Sequence, residues 1–173
     1  MKRAVFLDRD GVLNEVLTDR VKFVNKADEL FLLPGAAKAV AAFTSAGIEV
    51  FVVTNQGGVG LGYLKEESLI EIHDRLEELI REKGGIIKEV AYCPHKPKAG
   101  CECRKPSAGM LFALAEKYNI DLSHSVMVGD HERDIEAGVK AGCKTVFIGM
   151  EESKADVRAP SLYDAVEDIL QLV

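Results

Sequence analysis

Much of what narrows this chain is what it lacks. No apolar run approaches the roughly 18–20 residues that span a bilayer, so no membrane helix is expected. The opening stretch Met1-Lys2-Arg3-Ala4-Val5-Phe6-Leu7 meets Asp8 before it is long enough for a secretory signal, so a cytoplasmic location is expected. Basic residues are not in surplus: 22 Lys and Arg face 28 Asp and Glu, and the net charge of −6 argues against a nucleic-acid partner. No repeat, linker or low-complexity segment interrupts the 173 residues, a length that suits a single domain, residues 1–173. Cysteines are few and not spread as a disulfide framework would be. Cys93, Cys101 and Cys103 cluster while Cys143 stands apart, which in a non-secreted chain reads as metal binding. What remains is 47% hydrophobic and 29% charged, apolar enough to build a core.

Short β-rich runs alternate with helical patterns. Strands are expected at Ala4–Leu7, Ile48–Thr54, Ile86–Tyr92, Ser125–Val128 and Lys144–Ile148. Helices are expected from Pro34-Gly35 to about Ala46, over about 65–83, from a Ser107 cap to Tyr118, over Glu132–Ala141 and over Ser161–Leu172. Glu151–Pro160 reads as a surface loop. Five apolar strands interleaved with helices predict an α/β fold, a Rossmann-like parallel sheet with helices on both faces. In such sheets the site lies beyond the carboxyl ends of the strands. Asp8, Thr54-Asn55-Gln56 and Gly129-Asp130 stand there.

Asp8-Arg9-Asp10-Gly11 directly follows the first strand. Two carboxylates at i and i+2 can divide labour, one attacking and the other moving protons. The glycine lets backbone N–H groups turn towards an anion. Taken alone, an acidic turn with an Asx hydrogen bond accounts for the same residues. The remaining motifs change that reading. Phe6-Leu7-Asp8-Arg9-Asp10-Gly11-Val12-Leu13-Asn14, Val53-Thr54-Asn55-Gln56, Arg104-Lys105-Pro106 and Val128-Gly129-Asp130-His131-Glu132-Arg133-Asp134 resemble, in order, the four motifs of the haloacid dehalogenase superfamily of phosphohydrolases. Cys93-Pro94-His95 and Cys101-Glu102-Cys103, with Ile72-His73-Asp74, resemble its zinc-bearing subgroup, which holds heptose bisphosphate 7-phosphatases and histidinol-phosphate phosphatase domains.

The resemblance implies an Mg²⁺-dependent phosphomonoester hydrolase. Asp8 would be the nucleophile, Asp10 the proton carrier, Thr54 the phosphoryl-binding hydroxyl and Lys105 the fixed cation. Mg²⁺ would sit on the Asp8 carboxylate, the Asp10 carbonyl and Asp130, with Asp134 orienting the site. Cys93, His95, Cys101 and Cys103 offer three thiolates and an imidazole, enough to close a tetrahedron around zinc with no position left for water, hence a structural site in a loop over 93–103. A redox or free-thiol cluster is the alternative. Cys143 reads as a buried small apolar residue, and His73 and His124 as ordinary structural histidines.

No large cap fits, because Val12–Leu33 is a short flap and Gln56–Tyr92 is filled by one helix and one strand. Candidate substrate contacts are Thr18 and Asp19 of the flap, Asn55, Gln56, Arg104 and His131. Arg104 suits the second anion of a sugar bisphosphate, whereas Glu15 and Asp19 suit the amine of histidinol phosphate. The free-standing chain favours the heptose bisphosphate. A non-catalytic zinc-bearing interaction module on the same fold is the reading from another class, and intact Asp8, Asp10, Lys105 and Asp130 argue against it. A monomer is expected.

Overall fold

The computed structural model describes residues 1–173. Six parallel strands form one sheet in the order β3-β2-β1-β4-β5-β6. They are β1 (Ala4–Leu7), β2 (Glu49–Asn55), β3 (Glu89–Cys93), β4 (Val126–Gly129), β5 (Lys144–Ile148) and β6 (Val157–Ala159). The helices are α1 (Ala36–Ser45), α2 (Glu66–Arg81), α3 (Gly109–Tyr118), α4 (Glu132–Ala141) and α5 (Val166–Leu172). None is long and apolar enough to cross a membrane.

The central strands are apolar on both faces because both are covered. Successive side chains point to opposite faces. Thus Val5 and Leu7 join a core with α1, α2 and α5, while Ala4 and Phe6 join a second core with α3 and α4. In the second core Phe6 stacks on Phe51 of β2, with ring centroids 5.5 Å apart. Truncating either ring to alanine would cost about 3–5 kcal/mol by cavity formation. The order of strands reverses between β1 and β4, which pair directly (Val5–Val126 to Leu7–Val128). Their ends therefore flank the crevice where such sheets bind ligands.

Four expectations need correction. The segment expected as a loop over Glu151–Pro160 contains β6. It is a three-residue edge strand around the charged Arg158, too short to show a period. Asp156 anchors it by accepting from the N–H and hydroxyl of Thr145 at 2.9 and 3.2 Å. Ser107 does not cap α3, which begins at Gly109, where the Gly109 N–H donates to the Glu102 carbonyl at 3.1 Å. The third strand begins at Glu89 rather than Ile86, whose side chain is exposed. In the last helical segment, the Ser161 hydroxyl and Asp164 close a turn before regular helix starts at Val166.

Candidate active site

The ends of β1, β2 and β4 bring Asp8, Thr54 and Asp130 to one side of the sheet. Lys105 comes from the loop after β3. Its ammonium is buried, donates to the Val53 carbonyl at 2.8 Å and to Asp8 Oδ1 at 3.0 Å, and forms an ion pair with Asp134 Oδ1 at 2.7 Å. Burial disfavours the charge, but Asp8 and Asp134 outweigh it and hold the lysine above its usual range.

Asp134, fully buried, also accepts from the His131 N–H at 3.0 Å in a reciprocal cap that starts α4. His131 itself is exposed, and its Nδ1 lies 2.9 Å from Asp130 Oδ1. Donor atoms of Asp8, Asp130, His131 and Asp134 all fall within 4.8 Å of one another. Burial pushes the Asp8 carboxyl well above the usual carboxylate range, against the pull of Lys105 and with the help of Asp134 and Asp130. Burial raises Asp130 as well, with Asp134 adding and His131 opposing. One lysine cannot offset this crowd of carboxylates, and a divalent cation can. Gly11 leaves the space they need: a Cβ there would stand 2.0 Å from Asp130 Oδ2, and its φ of +83° suits glycine.

Asp10 is the opposite case. Burial works against its ionisation, but Arg9 and hydrogen bonds from Asn14 and Gln56 win and hold it below the usual range. Gln56 Nε2 donates to Thr54 Oγ1 at 2.9 Å and to Asp10 Oδ2 at 3.3 Å, so β2 and the acidic turn share one network. A cavity of about 660 Å³ opens beside Asp10, Asn55 and Gln56, with Phe23, Val24 and Leu61 across it.

The structure thus brings together Asp8, Asp10, Thr54, Gln56, Lys105 and Asp130. Asn55 is spent on the main chain of Lys105 rather than left free for a ligand. Thr18 is spent on the flap, its hydroxyl bonded to Val21 at 3.3 Å, and Asp19 is exposed beyond it. Glu15 is paired with Arg20, which leaves Asp19 as the flap carboxylate open to a cationic amine. Arg104 Nη1 donates to the His95 carbonyl at 3.3 Å. It also borders, with Lys98 and Lys105, a hollow of about 220 Å³. Arg9 and Asn14, which the motif carries without an assigned role, are both buried against Asp10. A charge between two aspartates reads as a solvated one, and only its burial reveals it.

Cys93, His95, Cys101 and Cys103 also converge. His95 Nδ1 lies 3.3 Å from Cys93 Sγ and 3.2 Å from Cys103 Sγ, and Cys93 Sγ is 3.6 and 2.9 Å from the sulfurs of Cys101 and Cys103. The Arg104 backbone N–H draws the Cys101 thiol down to about 6, whereas burial and the neighbouring sulfurs push Cys103 up to about 12. Cys143 is buried in the core with Phe6 and Met127, and burial pushes its thiol up to about 12.

Comparison with known proteins agrees with this geometry. The HAD-hydrolase-like family model matches residues 102–171, which carry Lys105, Asp130 and Asp134. D-glycero-beta-D-manno-heptose-1,7-bisphosphate 7-phosphatase of Pseudomonas putida is 40% identical over 146 residues, covering 84% of this chain and 82% of that protein. D-glycero-alpha-D-manno-heptose-1,7-bisphosphate 7-phosphatase of Campylobacter jejuni is 34% identical over 152 residues, covering 88% and 85%. The crystal structure of D,D-heptose 1,7-bisphosphate phosphatase from B. bronchiseptica, complexed with magnesium and phosphate, has a TM-score of 0.87 and 34% identity over 100% of both chains. The chain belongs to the haloacid dehalogenase superfamily and, within it, to the family of the heptose-1,7-bisphosphate 7-phosphatases.

Proposed function

We propose that this protein removes the 7-phosphate of D-glycero-D-manno-heptose 1,7-bisphosphate through an aspartyl phosphate on Asp8. The observation that carries the reading is the buried cluster in which Lys105 lies 3.0 Å from Asp8 and 2.7 Å from Asp134, with Asp130 beside them. A lone acidic turn needs no such lysine, and a binding module has no need of a crowded nucleophile.

The cluster suits Mg²⁺, which Asp8, Asp130 and the Asp10 carbonyl would hold. When bound, it supplies positive charge to the phosphoryl oxygens and to the carboxylates. The chain's own residues do the rest. Lys105 and the Asp10 N–H, which has no partner within the turn, face the phosphoryl group, and the Thr54 hydroxyl donates to it from the β2 side. An Asp8 oxygen attacks phosphorus, the bond to the C7 oxygen breaks, and that oxygen takes a proton from the protonated form of Asp10, a small fraction because Arg9, Asn14 and Gln56 hold the carboxyl low. Asp10 then takes a proton from the water that attacks the aspartyl phosphate, which releases inorganic phosphate and restores Asp8. Asp134 holds Lys105 and the start of α4 in place.

The thiol cluster fits zinc. Cys93, Cys101 and Cys103 would hold it as thiolates and His95 as an imidazole, a donor set that suits zinc. The spread of thiol acidity among these donors is what a divalent cation removes by taking each as thiolate. Zinc there would fix the chain just before Arg104 and Lys105. The hollow beside Lys98 and Arg104 supports a second anion on the substrate, as a bisphosphate has and histidinol phosphate lacks.

Phosphorus NMR of the bisphosphate turned over with Mg²⁺ tests this. The 7-phosphate signal should give way to inorganic phosphate while the anomeric phosphate signal persists. Loss of the anomeric phosphate first, or no release, would refute it.

A further inference from the structure

Arg9 is a charged residue with only 1% of its side chain exposed, and its guanidinium faces two ways. Nε and Nη2 donate to Asp10 Oδ1 at 3.1 and 2.9 Å. Nη1 lies 3.1 Å from Nε2 of His73, a buried residue in the middle of α2. An arginine only donates, so His73 Nε2 accepts and the ring proton sits on Nδ1. The groups facing the ring are few: Arg9 and Asp10 from the turn, and Tyr92 of β3, whose ring centroid lies 5.7 Å away and whose hydroxyl donates to Glu66 at 2.7 Å. Burial, with the Arg9 cation behind it and Asp10 opposing, pushes the imidazole down to about 3. It stays neutral and an acceptor.

The two oxygens of Asp10 are consequently unlike. Oδ1 accepts from Arg9 twice and from Asn14 Nδ2 at 3.0 Å, which fills its lone pairs. Oδ2 receives only the 3.3 Å contact from Gln56. A proton cannot settle on Oδ1 without displacing a donor.

We propose that His73 is a positioning residue for the proton carrier: it holds the Arg9 guanidinium, which fills Oδ1 of Asp10 and leaves Oδ2 as the oxygen that gives and takes the proton. The inference rests on the reading of Asp10 as the acid and base of a phosphatase. Two bonds from one fork to a single oxygen leave the carboxyl free to swing about its Cβ–Cγ bond. Anchoring the far end of the fork in α2 removes that freedom, and a planar guanidinium is suited to transmit the constraint.

Misalignment here affects chemistry more than binding. His73→Leu should lower kcat on a simple alkyl phosphate with Mg²⁺ by about ten- to a hundredfold while KM stays within about twofold. His73→Gln, whose amide oxygen can stand where Nε2 does, should restore most of that loss. A Leu variant with wild-type kcat, or a Gln variant no better than Leu, overturns the proposal. A second readout needs neither activity nor a folded variant of Leu: long-range ¹H–¹⁵N spectra of the histidine side chains in the wild-type protein, with the His73 signal assigned by its absence in His73→Gln. The expected signature is a neutral ring protonated on Nδ1 at neutral pH. A ring protonated on Nε2, or on both nitrogens, overturns the proposal. If the wild type hydrolyses no phosphate ester, the phosphatase reading fails, and the nitrogen spectrum still decides whether His73 holds Arg9.

Discussion

Asn55 grips the main chain of Lys105 with both ends of its amide: Nδ2 donates to the Lys105 carbonyl at 3.1 Å, and Oδ1 accepts from the Lys105 N–H at 3.0 Å. The last residue of β2 thereby fixes the loop that delivers the buried ammonium. Asn55→Ala leaves both backbone groups unpaired, at about 1–3 kcal/mol each if water does not replace the amide. We predict a lower melting temperature together with a kcat loss of about tenfold or more, since displacement near 1 Å is enough. Kinetics and thermal melts on the same preparation check this. Unchanged kcat would mean that Lys105 is placed by other contacts.

Asp8→Asn separates catalysis from stability. An amide cannot form the acyl phosphate, so turnover should fall by about a thousandfold or more. Burial raises the Asp8 carboxyl in the folded chain, which therefore holds this proton more tightly than the unfolded chain does. The stability contribution is complete below about pH 4 and is lost as pH climbs through the raised value, so ionised Asp8 opposes folding at neutral pH. Asparagine keeps an oxygen for Lys105 and for the Arg9 N–H without that charge. In chelator at neutral pH, the variant should melt no lower than wild type. Activity within about tenfold of wild type, or a melting point several degrees lower, would contradict this account of Asp8.

The thiol cluster makes a third prediction. Cys103 immediately precedes Arg104 and Lys105 in the chain. Cys101→Ala or Cys103→Ala should lose bound zinc and keep the far-UV spectrum of the α/β core. Each should lose at least about tenfold in kcat/KM, through both parameters, because one cation serves chemistry and the other recognition. Metal analysis, circular dichroism and kinetics on one sample decide. A zinc-free, folded variant with unchanged kinetics would show that the loop does not position these cations.

How much of this was legible beforehand follows from which signals are local. Lys144–Ile148 and Glu132–Ala141 stand where an apolar run and an amphipathic pattern put them, and the acidic motifs end the strands as expected. The family, too, was readable from motif order. β6 was not, because a three-residue strand around Arg158 carries no period. The start of α3 is hidden in the sequence because Gly109 turns on the carbonyl of Glu102, a contact that outranks the serine signal at 107. The partnerships of Asn55 with Lys105 and of Arg9 with His73 join residues 50 and 64 positions apart, and no short pattern announces either. Asn55 looked like a ligand contact because its place beside Thr54 was visible and its partner was not. Arg9 hid between two aspartates for the same reason.

The central claim is that this site acts on a sugar bisphosphate, and the ratio of kcat/KM for D-glycero-D-manno-heptose 1,7-bisphosphate to that for histidinol phosphate, with Mg²⁺ in one buffer, tests it most directly. The hollow beside Lys98 and Arg104 offers the second anion two cations, whereas a cationic amine meets only the exposed Asp19, because Glu15 is paired to Arg20. Losing the charge-assisted contacts to that anion, about 1.5–3 kcal/mol each, should set the bisphosphate ahead by at least about a hundredfold. Comparable values, or a preference for histidinol phosphate, would contradict the account.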